Sequence, residues 1–326
     1  MPFYTITVDT EEEWDWSSGY RTDSNAVTNI TALPQFQQAC DRHGASVTYF
    51  VNHSVLDCPQ AAEVIEALAL QPRVEIGLHI HSWNTPPLAP TAEVPVRDSF
   101  LANLPRDVAL AKLDTVLDSF DQCGLKPTSF RGGRYSTCDW MQQHLARRGV
   151  IADASILPFT TWPDDGAPDY RDRDLTPVRR AFGDDRWIWE IPLTLAFTRR
   201  PWRRWSQLYQ LGERPLCRQL RLVGIAERLL VQRIWLNLEH PLGDQAERLL
   251  PVLQAAGVRC INLTMHSSSL RPGLNSYTRT RSDLQRLYDR LDRVLQRIHD
   301  TTDYQPATVS EVARHLERQH HARARH

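Results

Sequence analysis

The sequence predicts an α/β fold in which a parallel sheet closes, or nearly closes, into a barrel. Strand and helix patterns alternate along almost the whole chain, which is the arrangement of repeated strand–helix units. The length of 326 residues is ordinary for one barrel of this kind. Polar side chains stand at the ends of several predicted strands, and the carboxyl ends of barrel strands carry the functional site. We therefore expect a single domain over residues 1–326.

The amino-terminal half reads as short strands separated by helices. Gly44, Gly124 and Gly149 follow helix patterns, as expected at helix ends, and Pro59 begins one helix. The strand patterns are alternating or short apolar runs rich in β-branched and aromatic residues. The predicted strands cover residues 3–8, 45–51, 74–81, 128–136 and 150–155, and the predicted helices 31–43, 59–70, 106–122 and 139–148.

The carboxy-terminal half continues the alternation and closes with two long amphipathic helices. Strands are predicted over residues 187–193, 234–240 and 259–266, and helices over 244–256, 281–298 and 308–319. The segment 198–234 does not fit the repeat. It contains nine arginines against two glutamates, interleaved with tryptophan and leucine. A basic amphipathic helix can lie on an anionic membrane surface, whereas the plainer interpretation is an insertion packed on the barrel.

Two histidines two residues apart, His79 and His81, mark the strand that begins at Val74. On a strand their imidazoles leave from the same face, and together they could bind one divalent ion. A pair of hydrogen-bonded core histidines is the alternative interpretation.

An acidic cluster follows the first strand, where Asp9 and Glu11 share a strand face. A solvated acidic loop would explain the cluster equally well. The case for a site comes from convergence, because seven polar residues fall at or near predicted strand ends. They are Asp9, Glu11, His79, His81, Arg131, Asp153 and His266.

Composition excludes several classes of protein. The formal net charge of −1 gives no basic field for nucleic acid. The six cysteines show no CxxC pair, so neither a zinc ribbon nor a disulfide framework is indicated. The first residues enter a strand without a secretory signal pattern, and no apolar run approaches about 18 residues. We expect a cytoplasmic protein with a solvated tail at 320–326.

Five motifs in order resemble those of the polysaccharide deacetylase family, the NodB-homology carbohydrate esterases. The resemblance spans roughly residues 3 to 315. Residues 7–11 (TVDTE) look like the first aspartate motif and 46–51 (SVTYFV) like the following strand. Residues 75–79 (EIGLH) match the approach to the histidine motif. Residues 130–135 (FRGGRY) are similar to the arginine turn, and 263–266 (LTMH) to the final histidine motif.

The resemblance implies a distorted (β/α)7 barrel and a metal-dependent carbohydrate N-deacetylase. Where the family has His-x-x-x-His, position 83 is tryptophan, so His81 would serve as the second imidazole. The family's metal aspartate could correspond to Thr10 or Glu11, and only Glu11 offers a carboxylate on the face of Asp9. The implied ligands are Glu11, His79 and His81, around Zn²⁺ with Co²⁺ or Ni²⁺ possible.

The resemblance also implies roles for the other strand-end residues. Asp9 would act as general base, paired with Arg131, and a backbone N–H near Tyr135 would bind the oxyanion. His266 would act as general acid, oriented by Asp153. The implied substrate is an N-acetylated sugar in a glycan or glycan precursor. The alternatives are a same-fold amidase or deformylase on a non-sugar or lipid-linked substrate, and an inactive glycan-binding barrel.

Overall fold

A mostly parallel sheet, curled into a distorted barrel, forms the centre of the protein. The computed structural model describes residues 1–14, 19–212, 231–239 and 246–324. Within these residues the main sheet has the strand order β12-β1-β3-β4-β6-β7-β9-β8, and β13 pairs with β1. The strands are β1 Phe3–Thr10, β2 Tyr20–Arg21, β3 Val47–Val51, β4 Val74–Ile80, β5 Glu93–Val94, β6 Ser129–Gly132, β7 Ala152–Asp153, β8 Val178–Ala181, β9 Trp187–Glu190, β10 Leu195–Phe197, β11 Arg233–Trp235, β12 Cys260–His266 and β13 Gln305–Pro306.

Helices cover the outside of the sheet, as strand–helix alternation predicts. Residues of the sheet that face them form the main apolar core, for example Tyr4, Ile6 and Val8 of β1, all 0% exposed. The helices are α1 Leu33–Asp41, α2 His53–Leu56, α3 Pro59–Ala69, α4 Arg106–Gln122, α5 Asp139–Arg147, α6 Trp202–Gly212, α7 Ala246–Ala255, α8 Arg281–Thr301 and α9 Val309–Ala324.

Backbone hydrogen bonds beside β12 partly close the curled sheet into a barrel. The Leu236 N–H donates to the Thr194 carbonyl at 2.8 Å, and the Thr264 N–H donates to the Leu236 carbonyl at 3.0 Å. The segment after β11 therefore bridges β12 and the residues that follow β9. The expected α/β fold with a distorted barrel is confirmed.

The inside of the barrel is polar at one end and sealed at the other. Alternation along β1 turns Thr7 and Asp9 inward, where both are buried. At the amino ends of β3 and β4, the first turn of α9 donates backbone N–H groups to Thr48 Oγ1 and Glu75 Oε2. Helix α9 thus closes the end opposite to the strand carboxyl ends, which leaves the carboxyl ends for a site.

Several elements differ from the sequence-based expectation. The strand predicted over 234–240 is split: β11 pairs antiparallel with β10, and Asn237 forms an isolated bridge to Thr264. The antiparallel strand β8 was not predicted. Residues 320–324 are exposed but helical, as the end of α9. About half of the basic segment, residues 213–230, lies outside the described residues, as do His240 and the start of the helix predicted at 244. No described helix has the length and apolar character to cross a membrane.

Candidate metal centre

Strand register brings the predicted site residues together at the carboxyl end of the barrel. Asp9 is paired in register with His266 on the neighbouring strand β12. His79 is paired with Arg131 on β6. Because β1 and β4 flank β3, their ends lie close enough for Glu11, which follows β1, to reach His79 at the end of β4 and His81 just after it.

Three donor atoms from Glu11, His79 and His81 converge on one point. Each of the three separations between Glu11 Oε2, His79 Nε2 and His81 Nε2 is 3.1 Å. All three side chains are buried. Atoms this far apart are spaced like neighbouring ligands on one cation with bonds of about 2.0–2.2 Å. The predicted ligand set is therefore assembled as a group that could hold a metal ion.

Hydrogen bonds on the far side of each ring fix which nitrogen faces this point. His79 Nδ1 lies 2.7 Å from the Arg131 carbonyl oxygen, which can only accept, so Nδ1 carries the proton. His81 Nδ1 lies 2.7 Å from Glu12 Oε1 in the same way. Both Nε2 atoms can therefore turn a lone pair toward Glu11. Two imidazole nitrogens and a carboxylate oxygen this close together need a positive charge among them, which a proton on His81 or a bound metal ion would supply.

The charges around the site also favour a cation. Burial lowers the pKa of His81, but the carboxylates of Glu12 and Glu11 outweigh burial and raise it to about 10. Burial raises the pKa of Glu11, but His81, His266 and His79 outweigh it and hold that pKa below its usual range. Four buried carboxylates lie here, those of Glu11, Glu12 and the two acids described next. A divalent ion bound in place of the second proton of His81 would offset part of their negative charge.

Asp9 is held by the buried guanidinium of Arg131. Nη1 of Arg131 donates to Asp9 Oδ1 at 2.6 Å, and Nη2 donates to Thr7 Oγ1 at 2.9 Å. Arg131 is 0% exposed and stacks over the Phe50 ring at 4.5 Å. The pairing leaves Asp9 Oδ2 on the side of His266, 4.0 Å from its Nε2. The predicted Arg131–Asp9 pair is thus present in the structure.

His266 is oriented by Glu239, whereas the sequence led us to expect Asp153. Nδ1 of His266 lies 2.8 Å from Glu239 Oε2, and its backbone N–H donates to Oε1 at 3.0 Å. Burial lowers the pKa of His266, but Glu239, Glu11 and Asp9 outweigh burial and raise it to about 10. The imidazole is therefore protonated at neutral pH, and Nε2 carries its proton into the site.

Asp153 has a different environment from the one expected. Its Oδ2 accepts hydrogen bonds from Thr137 Oγ1 at 2.6 Å and Gln142 Nε2 at 2.8 Å, and its Oδ1 accepts from Ser155. Burial raises the pKa of this carboxyl, opposed by these hydrogen bonds. Ser155 Oγ also accepts from the Gly132 N–H at 2.9 Å. Asp153 therefore supports the turn that follows Arg131 rather than the imidazole of His266.

That turn places Tyr135 on the wall of the site through an unusual backbone. Arg134 and Tyr135 both have left-handed φ angles, 51° and 62°, which are uncommon away from glycine. The Tyr170 hydroxyl donates to the Tyr135 carbonyl at 2.6 Å and secures the turn. A Cβ atom on Gly133 would lie only 2.5 Å from both His81 Cδ2 and the Ile80 carbonyl oxygen. Glycine at 133 thus lets the turn pack directly against a candidate ligand.

The candidate site opens into a cavity of about 410 Å³ with aromatic walls. Its floor is lined by Asp9, Glu11, His79, His81 and His266. An ion pair between Arg134 and Asp165, at 2.9 Å, lies on its rim. The aromatic residues that line it are Trp14, Trp83, Phe100, Tyr135, Trp162, Trp235 and Tyr277.

Sequence reasoning missed two carboxylates of the site, Glu12 and Glu239. The signal for Glu239 was present, because it ends the alternating run 234–239, as Asp153 ends its own strand. Glu12 gave no comparable signal. The strand ends at Thr10, so alternation no longer tells where the next side chains point.

No family model and no curated protein matches the sequence. Among solved structures, a candidate polysaccharide deacetylase from Mycobacterium smegmatis matches with a TM-score of 0.59 and 16% identity, over 98% of this chain and 91% of that one. A candidate polysaccharide deacetylase involved in O-antigen biosynthesis, from Bordetella bronchiseptica, matches 59% of this chain and 56% of its own, with 19% identity and a TM-score of 0.32. The Mycobacterium match shows that this chain shares the fold of that protein.

Proposed function

We propose that the protein is a metal-dependent hydrolase that removes the acetyl group from an N-acetylated sugar in a glycan or glycan precursor. The observation that carries the proposal is the convergence of Glu11, His79 and His81 beside two polarised pairs, Arg131–Asp9 and Glu239–His266. A ligand set, a carboxylate and a charged imidazole are the parts that hydrolysis of an amide needs. The shared fold with a candidate polysaccharide deacetylase supports the same class of chemistry.

Glu11, His79 and His81 would hold the ion, and their buried donor set of one carboxylate and two imidazoles suits Zn²⁺, with Co²⁺ or Ni²⁺ as alternatives. A divalent ion bound there supplies Lewis acidity, which polarises a carbonyl and lowers the pKa of water. Three protein donors leave further positions open to water and substrate, as in catalytic zinc sites.

Asp9 would accept the proton of the attacking water as general base. The Arg131 guanidinium fixes Oδ1, so Oδ2 is the atom that would take the proton. The Tyr135 turn, with its left-handed backbone, would bring a backbone N–H to the developing oxyanion.

His266 would give its Nε2 proton to the departing amine as general acid. Glu239 stabilises the imidazolium through Nδ1 and so keeps the proton available before the C–N bond breaks. His266 Nε2 lies 4.0 Å from Asp9 Oδ2, so the proposed acid and base could both reach one bound amide.

The aromatic cavity supports a sugar as the substrate. Flat indole and phenol faces pack against the C–H faces of pyranose rings, and Trp14, Trp162 and Trp235 offer such faces around the floor. A volume of about 410 Å³ suits one or two sugar rings rather than a long polymer. The substrate would therefore be a small or terminal N-acetylated unit.

The test is metal content, followed by substrate selectivity. Elemental analysis of the purified protein should find about one transition metal per chain, and the double variant His79→Ala/His81→Ala should lose it. The metal-loaded protein should then release acetate from N-acetylhexosamine substrates. Release of formate from N-formyl compounds, without acetate from sugars, would favour a deformylase instead. Failure to bind zinc, cobalt or nickel would contradict the hydrolase and favour a glycan-binding barrel.

A further inference from the structure

We propose that Glu12 is a positioning residue that makes His81 the stronger of the two imidazole ligands and so sets the affinity of the centre for its metal. The inference rests on the proposed function, since it concerns the same ligand set. It assigns a role to a side chain that touches neither substrate nor the three converging donor atoms.

Among the three proposed ligands, Glu12 contacts His81 directly. Its Oε1 lies 2.7 Å from His81 Nδ1. The same oxygen accepts from Trp83 Nε1 at 3.1 Å, while Oε2 accepts from Asn52 Nδ2 at 2.5 Å. The residue is 0% exposed. Three donors on one buried carboxylate define its position.

Trp83 completes the support by fixing the plane of the imidazole. Its ring stacks on His81 with centroids 4.0 Å apart and an angle of 21° between the planes. Glu12 thus determines which nitrogen of His81 carries the proton, and Trp83 determines where the ring lies. The hydrogen bond from Trp83 to Glu12 links the two supports. Together they present a rigid Nε2 lone pair to the centre.

The two imidazoles of the site are supported unequally, which gives an internal comparison. Nδ1 of His79 donates to the neutral carbonyl of Arg131, whereas Nδ1 of His81 donates to a carboxylate. A negative charge behind an imidazole increases its basicity toward a metal, and loss of such a partner typically weakens metal affinity by about 10- to 100-fold. The geometry therefore assigns to Glu12 most of the gain in metal affinity that such partners give.

The arrangement also accounts for a short His-x-His spacing. The position four residues after His79 is Trp83, which cannot ligate but does stack on His81 and bond Glu12. His81, two residues after His79, instead bonds through Nδ1 to the carboxylate of Glu12 in the loop after β1. Glu12 and Trp83 would thus compensate for the shortened motif by holding its second member in place.

The experiment measures Zn²⁺ affinity by competition with a chromophoric chelator, together with the visible absorption of the Co²⁺-loaded protein. Glu12→Gln keeps the size of the side chain and removes its charge. Glu13→Gln is the matched control, because the neighbouring Glu13 carboxylate accepts from the Asn29 backbone N–H and not from an imidazole. We expect Glu12→Gln to weaken Zn²⁺ binding by about 10- to 100-fold and to alter the Co²⁺ spectrum, with Glu13→Gln indistinguishable from wild type.

A second variant keeps the test decisive if Glu12→Gln does not fold. Glu12→Asp retains the buried charge but shortens the side chain, so it should lose the contact to His81 and bind Zn²⁺ more weakly than wild type. Unchanged Zn²⁺ affinity in whichever of the two variants folds would overturn this inference alone. A wild-type protein that binds no zinc, cobalt or nickel would overturn the proposed function and this inference with it.

Discussion

Arg131 and Asp9 are 122 positions apart in the sequence and meet inside the barrel, with Nη1 2.6 Å from Oδ1. The guanidinium also donates to Thr7, Thr264 and the Ala154 carbonyl, so its position does not depend on Asp9 alone. Because one carboxylate oxygen is occupied by this pair, the other is the atom available for chemistry. The pair therefore links the core of the barrel to the proposed base.

Asp9→Asn should abolish the base while preserving the shape of the pair. We expect kcat/KM to fall by about 10²–10⁴-fold, the usual contribution of general acid–base catalysis, with metal content unchanged. Asp23→Asn is the control, because Asp23 forms an exposed ion pair with Arg21. Steady-state kinetics and elemental analysis give both readouts. Turnover like that of wild type in Asp9→Asn would refute the assignment of the base.

Glu239→Gln should change the pH dependence of the reaction. Glu239 is the main group raising the pKa of His266 to about 10, against the opposing effect of burial. A general acid is active while protonated, so kcat/KM should fall as pH rises through that pKa. Removing the charge lowers the pKa, and the alkaline limb should move to lower pH. Glu247→Gln, an exposed substitution on α7, is the control and should keep the pH profile of wild type. If the alkaline limb of the pH profile does not move in Glu239→Gln, His266 is not the general acid.

Gly133→Ala should displace a ligand without removing it. The new Cβ would lie 2.5 Å from His81 Cδ2 and from a backbone oxygen, so either the turn or the imidazole must shift. We expect the variant to lose bound metal as well as stability. Gly149→Ala is the control: its backbone is left-handed, so alanine should cost about 1 kcal/mol, but nothing lies near the added atom. Metal content like that of wild type in Gly133→Ala would contradict the expected displacement of His81.

The described part of the basic segment suggests a membrane test. Helix α6 exposes Arg203, Arg204, Leu208 and Leu211, with the two leucines 56% and 45% exposed. If this face lies on anionic lipid, the protein should co-sediment with anionic vesicles but not neutral ones, and less so at high salt. Leu208→Ser/Leu211→Ser should reduce the bound fraction. An intact protein that stays in the supernatant with anionic vesicles would support an insertion packed on the barrel.

Alternation and strand ends were sufficient to predict much of this molecule. The strand that carries His79, the helix over 106–122 and the position of Asp9 and Arg131 at strand ends follow from local pattern plus the parallel-barrel rule. The pairing of Asp9 with Arg131 was implied by the family resemblance. These predictions succeed because the side chain at a strand's end points where the pleat puts it.

The partner of His266 could not be predicted in the same way. Asp153 and Glu239 both end strand-like runs, and only the pairing of Asn237 beside Thr264 brings Glu239 to the imidazole. That pairing joins segments that no sequence pattern relates. Similarly, Glu12 follows the last strand residue, and its direction is set by contacts with Asn52 and Trp83.

The pairing of β1 with β12 has a consequence for synthesis. Phe3–Asp9 of β1 are translated roughly 250 residues before β12, the strand that covers one of their edges. At roughly 5–20 residues per second, that edge waits roughly 10–50 s for its partner. An uncovered strand edge with an apolar face can pair with other chains. The nascent protein should therefore depend on chaperones that shield β1 until the far end of the barrel has been made.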